Sequence, residues 1–111
     1  MADRRKRLES TVINGARQLD AAIGCWAIEN GLGPGDKVEL RALAAYVKSG
    51  SEFERELLAS KSPTDALGNP YIILLTLAKP EKATGCGSAN VMISEKTKKA
   101  LGSVATDWGG Y

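Results

Sequence analysis

The stretch DALGNPYIILLTLA, Asp65 to Ala78, is where the chain changes period and where its fold class is decided. Upstream, apolar residues recur every three or four positions. From Tyr71 to Ala78 they follow one another directly, interrupted by Thr76. So short a run, bounded by Pro70 and by the turn sequence KPEK at 79–82, reads as a strand at or near the centre of a sheet. The residues before it explain how the chain enters that strand. Asp65 can accept hydrogen bonds from loop N–H groups, and Gly68-Asn69 tolerates positive φ. Pro70 fixes its own φ and forces Asn69 out of the helical region, so Tyr71 is reached already extended.

Toward the C-terminus, ANVMIS (89–94) reads as a second strand, and Ser94 as the cap of a short helix, EKTKKAL (95–101). The tail SVATDWGGY (103–111) offers Val104 and Trp108 to the core as a short third strand.

Toward the N-terminus the pattern is helical. Leu8, Val12, Gly15, Ala16, Leu19, Ile23, Trp26 and Ala27 fall on one face, and Gly31 after Asn30 supplies the stop. A helix over 4–29 spans roughly 39 Å at about 1.5 Å per residue. A domain this small struggles to cover that length, so the first two turns or more are expected to project toward a partner. After the linker GLGPGD, DKVE has the form of a capping box with Asp36 as N-cap and Glu39 at N3. Leu40, Leu43, Ala44 and Val47 follow at helical spacing up to Gly50, and a second box, SEFE from Ser51, opens a helix carrying Phe53, Leu57 and Leu58. The expectation is one domain over 1–111: long helix 4–29, helical segment 36–59, loop 60–70 and sheet region 71–111. Its class is α+β, a long N-terminal helix packed on a small antiparallel sheet with two short helices between them.

Composition narrows the function. At 111 residues and 43% hydrophobic the chain can bury one aliphatic core, since aromatics are 5%. Fifteen basic against thirteen acidic residues is too even to indicate a nucleic-acid binder. RRKR, Arg4 to Arg7, reads first as a solvated helix start, with a phosphate-contacting patch and a membrane-surface patch as the lesser readings. With no histidine, the commonest neutral-pH general base and the usual triads are missing, and Tyr46, Ser51 and Ser60 have no readable base. No enzyme, cofactor or metal is expected. Cys25 and Cys86 are either separate thiols or one bridge, which would close a loop of about 60 residues and contribute on the order of 4 kcal/mol. Neither a membrane-spanning run nor a secretory signal is present, and the helical pattern starts abruptly.

Two short motifs carry a resemblance. Glu29, Asn30 and Gly31 end the long helix, and Pro63, Asp65, Gly68, Asn69, Pro70 and Tyr71 open the strand. In this layout the chain resembles the major pseudopilin of type II secretion and its type IV pilin-like relatives. The resemblance implies a structural fibre subunit whose hydrophobic N-terminal helical segment is missing here. That segment would lie in the inner membrane, with the globular part in the periplasm, before moving into the fibre core. Partners would be other copies, related pilin-like subunits and an inner-membrane assembly platform; nucleic acid is not expected. Leu8, Val12, Leu19, Ile23 and Trp26 would serve helix packing and assembly, and Pro63 to Tyr71 would aim the strand. Leu67 stands where the family has an aromatic residue, and Leu32-Gly33-Pro34 where it often has Tyr-Pro. Its acidic calcium-binding loop has no counterpart, since only Glu95 and Asp107 are acidic from residue 85 onward. The alternative is a free-standing exported binding module, with a pocket between the sheet and the 36–59 helices.

Overall fold

The computed structural model describes residues 2–74, 76–77 and 90–102, with side chains from Arg7 onward. The long helix, α1, runs Ala2–Glu29, two residues earlier than the sequence pattern suggests. Its end is a Schellman turn. Gly31 adopts φ +64°, its N–H donates to the Ile28 carbonyl at 3.3 Å, and Leu32 N–H reaches the Ala27 carbonyl at 2.8 Å. Asn30 adds a side-chain bond to the Trp26 carbonyl at 2.8 Å.

Three short helices follow: α2 (Leu40–Leu43), continued by a 3-10 turn at Ala44–Tyr46, then α3 (Glu52–Leu58) and α4 (Glu95–Leu101). Strands β1 (Ile72–Ile73) and β2 (Val91–Met92) pair antiparallel, with Ile72 opposite Met92 and Ile73 opposite Val91. The fold is thus the expected one, a long helix on a small antiparallel sheet with two short helices between. Pairing continues beyond the regular strand. Leu74 N–H donates to the Asn90 carbonyl, and Leu77 N–H to the Asp36 carbonyl at 2.8 Å. The run from Tyr71 therefore has hydrogen-bonded neighbours at 90–92 and at 35–37. Along it Tyr71, Ile73 and Leu77 are buried while Ile72, Leu74 and Thr76 are exposed, the period-2 pattern of a sheet with one covered face. That face, with Val91 and Ile93, meets Val12, Ala16, Leu19, Ile23 and Trp26 of α1 in one core, closed at the side by Leu43, Ala44 and Leu57.

One boundary expectation is corrected. The segment at 36–39 is not helical, and α2 begins at Leu40 behind Glu39, whose side chain makes no cap bond. Asp36 instead accepts from the Gly33 N–H at 2.7 Å, and Lys37 bridges Thr76. Long-range pairing to 76–77 satisfies this backbone and buries Val38, and it outweighs a local cap worth about 1 kcal/mol. The box at Ser51 does form. Ser51 Oγ accepts from Glu54 N–H at 3.2 Å, and the Glu54 carboxylate accepts from Gly50 N–H at 2.9 Å, one residue ahead of the usual partner. Ser94 caps α4 through Thr97 N–H, and Gly102 at φ +64° ends it. The expected third strand at Val104 and Trp108 lies outside the described residues.

Candidate functional site

The residues at the entrance to β1 come together as a closed loop. Its mouth is held by the Tyr71 N–H donating to the Pro63 carbonyl at 2.9 Å and by the Asp65 N–H donating to the Asn69 carbonyl at 2.8 Å. Inside it, Gly68 N–H reaches the Asp65 carbonyl at 2.9 Å with Gly68 at φ +83°, a conformation that favours glycine.

Asp65 is the centre of the loop. Its carboxylate is buried, with Oδ1 accepting from Leu67 N–H at 2.9 Å and Asn69 N–H at 3.1 Å. Oδ2 accepts from the Thr97 hydroxyl at 2.5 Å. Thr97 is fully buried on α4, and its oxygen also accepts from Asn69 Nδ2 at 2.9 Å and from the Ser94 hydroxyl at 3.0 Å. A buried carboxylate is tolerated when its acceptor sites are filled in this way. From the other side, the Glu56 carboxylate of α3 accepts from Thr64 N–H at 3.0 Å and from the Thr64 hydroxyl at 3.3 Å. The loop is therefore tied to both α3 and α4.

Tyr71 then locks the strand onto α1. Its hydroxyl donates to the Val12 carbonyl at 2.8 Å in a buried position, and its ring meets Phe53 edge-on, with centroids 5.9 Å apart. Burial, reinforced by the nearby Asp65 charge, holds this hydroxyl well above the ordinary tyrosine range, so it remains a donor at neutral pH. The approach requires Gly15. A Cβ there would stand 2.2 Å from Tyr71 Oη and 3.2 Å from Phe53 Cζ.

At the far end of α1, the neighbouring Glu29 carboxylate is the main reason the Tyr46 pKa is raised. Asn30 and Gly31 close the helix end on the Trp26 and Ile28 carbonyls. Val12 and Leu19 are fully buried, Ile23 and Trp26 nearly so, and Leu8 partly. All five belong to, or pack against, the domain's own core. Pro63 is buried and Pro70 exposed. Cys25 is an exposed free thiol on α1, while Cys86 lies outside the described residues.

Sequence reasoning missed Thr97, Glu56 and the role of Gly15. A glycine on the apolar face of a helix is a sign of close approach. Thr97 and Glu56 carry no comparable signal, because their partners are distant along the chain. Chemically, the loop is an aiming device. Both oxygens of the Asp65 carboxylate accept hydrogen bonds, and among the described residues no group of His, Cys, Asp and Glu side chains gathers as a metal site would require. A second feature is a shallow groove of about 390 Å³ lined by Lys37, Val38, Glu39, Leu40, Arg41, Ser60 and Thr76.

No protein-family model, curated protein or solved structure was found to match this chain.

Proposed function

We propose that this chain is the globular domain of a pilin-like fibre subunit that polymerises through its N-terminal helix, in protein secretion or a related fibre machine. One observation carries the reading: α1 is one unbroken helix that takes up about a quarter of the chain. Its 28 residues extend about 42 Å. Its described contacts with the core run from Leu8 to Ala27. In this reading α1 is continued at its N-terminal end by the segment that joins the fibre. A rigid lever suits a fibre, because Tyr71 at the entrance to β1 is bonded to α1 at the Val12 carbonyl. Loading on the helix would then pass to the whole domain.

In this reading Val12, Leu19, Ile23 and Trp26 hold the domain on its helix, and contacts between subunits fall to the exposed face of α1 and to its continuation. Polymerisation would draw mainly on burial of an apolar segment ahead of α1. The subunit would begin in a membrane with this domain on the exported side.

The reading of the gene ahead of the codon for Met1 tests this. A basic leader ending in glycine, then about 20 apolar residues with a glutamate near their start, supports it. An ordinary cleaved signal in that place rejects it and favours the binding module. The groove beside Lys37 and Thr76 is the observation that favours that second reading. A monomeric exported protein whose Lys37 and Arg41 amide signals shift with an added small ligand would support it.

A further inference from the structure

The sheet has a second face. Tyr71, Ile73 and Leu77 are buried in the core, and the alternate positions carry Ile72, Leu74 and, opposite Ile72, Met92, all exposed. The long helix also has a back, where Arg17, Ala21, Gly24, Cys25 and Ile28 are exposed at helical spacing. Ile28 is 82% exposed, and with Ile72, Leu74 and Met92 it makes four of the five large apolar side chains exposed among the described residues. Helix and sheet share one core between them, so the two open faces lie on opposite sides of the layer pair.

The glycine at position 24 marks the helix back as a place of close approach. A glycine inside a helix costs about 1 kcal/mol relative to alanine. Gly15 makes room for Tyr71, but a Cβ at Gly24 would meet nothing within 4 Å. Charge then selects what fills that room. Arg17 and Glu29, both exposed, stand about 18 Å apart along α1. On the open side of the sheet, Lys37 pairs with Thr76, and it lines the groove with Arg41 against a single acid, Glu39. The exposed Glu95 lies beyond Met92 at the other end, about 24 Å from Lys37 at about 3.4 Å per residue. Long Arg and Lys side chains span the difference. In each copy α1 already runs in the matching sense over its own sheet. The Tyr71 hydroxyl meets Val12, and Gly35, just past the helix end, is bonded to Leu77. A second copy shifted through the layers, without being turned over, brings its Glu29 to the Lys37 end and its Arg17 to the Glu95 end.

We propose that the back of α1 in one copy packs on the open sheet face of the next, with Ile28 and Cys25 over Leu74 and Ala21 over Ile72 and Met92. The inference rests on the fibre-subunit reading for its setting and names the surface that the exposed face of α1 meets. Two different surfaces are joined, so the contact is heterologous and repeats into an open stack. A helix contact about 20 Å long and about 10 Å wide falls short of the roughly 800 Å² per partner of a stable pair. The stack is therefore weak alone and holds where a fibre keeps copies together.

The exposed thiol of Cys25 supplies the test. In the 111-residue chain carrying Cys86→Ser and Leu74→Cys, diamide oxidation at high protein concentration should join Cys25 of one copy to the introduced thiol of the next. The expected product is a ladder of dimers, trimers and tetramers on a non-reducing gel, whereas Cys86→Ser alone yields dimers at most. Adding Gly24→Leu should leave the melting temperature unchanged or raised, because the space is open, and should cut the ladder about tenfold. Adding Glu29→Lys should cut it about fivefold, and Lys37→Glu in the same chain should restore it. Dimers alone from the Leu74→Cys chain, a ladder undiminished by Gly24→Leu, or no recovery in the charge-swapped chain would overturn the inference. A Gly24-dependent ladder from a protein that forms no filaments in its native cells would uphold the contact and remove the fibre reading. Native filaments unchanged by Gly24→Leu and by Glu29→Lys would uphold the fibre reading and remove the contact.

Discussion

Replacing Gly15 with alanine should destabilise the domain, against the usual gain from removing a glycine inside a helix. That gain is about 1 kcal/mol. Opposing it, the new methyl would lie 2.2 Å from Tyr71 Oη, more than an ångström inside ordinary contact distance. Neither side yields easily, since the hydroxyl is bonded to the Val12 carbonyl and the ring rests against Phe53. Overpacking of this kind costs about 1–3 kcal/mol, and loss of the buried hydrogen bond adds about 1 kcal/mol. The net expectation for Gly15→Ala is a loss of about 1–3 kcal/mol. Tyr71→Phe alone removes the hydroxyl and should cost about 1 kcal/mol. In the double variant the offending oxygen is gone. The nearest remaining atoms, the ring Cζ at 3.0 Å and Phe53 Cζ at 3.2 Å, need shifts of only a few tenths of an ångström. The two changes should therefore be strongly non-additive, with the pair more stable than the sum of the singles by about 1–3 kcal/mol. Urea unfolding of all four proteins at one pH measures this. Additivity within about 0.5 kcal/mol would refute the steric lock between α1 and the strand.

Other perturbations probe neighbouring parts of the same lock. Asp65→Ala leaves the Thr97 hydroxyl and two loop N–H groups without their acceptor and should cost about 3 kcal/mol by denaturant unfolding, with Thr97→Val sharing part of that loss. Ser51→Ala removes the α3 cap and should cost about 1 kcal/mol, read as a drop in melting temperature. Leu57→Ala opens a void at a fully buried position and should cost about 2–5 kcal/mol. The pH dependence follows from the raised pKa of Tyr71. The folded state holds the hydroxyl proton more tightly than the unfolded state, so this stabilisation is complete below the ordinary tyrosine value of 10.0 and is lost as pH rises above it. Subtracting the Tyr71→Phe curve from that of the parent should isolate the alkaline decline; parallel curves would show that the hydroxyl is not buried as described.

What could be read from the chain alone follows from the range of each interaction. The α1 face, the glycine stop at Gly31, and the caps at Ser51 and Ser94 are local, because each motif contains its own partners within a few residues. The same holds for the inward side of the Asp65 loop, whose N–H donors at Leu67 and Asn69 are close in sequence. Asp36 shows the limit of such reasoning. Its spacing to Glu39 is that of a cap, but pairing with Leu77 from across the domain claims the backbone first. The Asp65–Thr97 and Glu56–Thr64 bonds were equally invisible, since polar side chains that meet through tertiary packing leave no periodic trace. The direction of the helix face was read correctly, but its occupant was not separable by pattern. Val12 and Leu19 would look the same facing their own domain or a neighbouring subunit, and they are buried in the domain's own core.

The most direct test of the fibre-subunit proposal is made in the native cells. Surface material is sheared off, and an antibody against this domain is applied to it by immunoblot and electron microscopy. The expected result is thin filaments labelled along their length, which disappear when the gene is deleted and return when it is restored. Recovery of the chain only as a monomer in cells with an active fibre machine, with no labelled filament, would contradict the proposal.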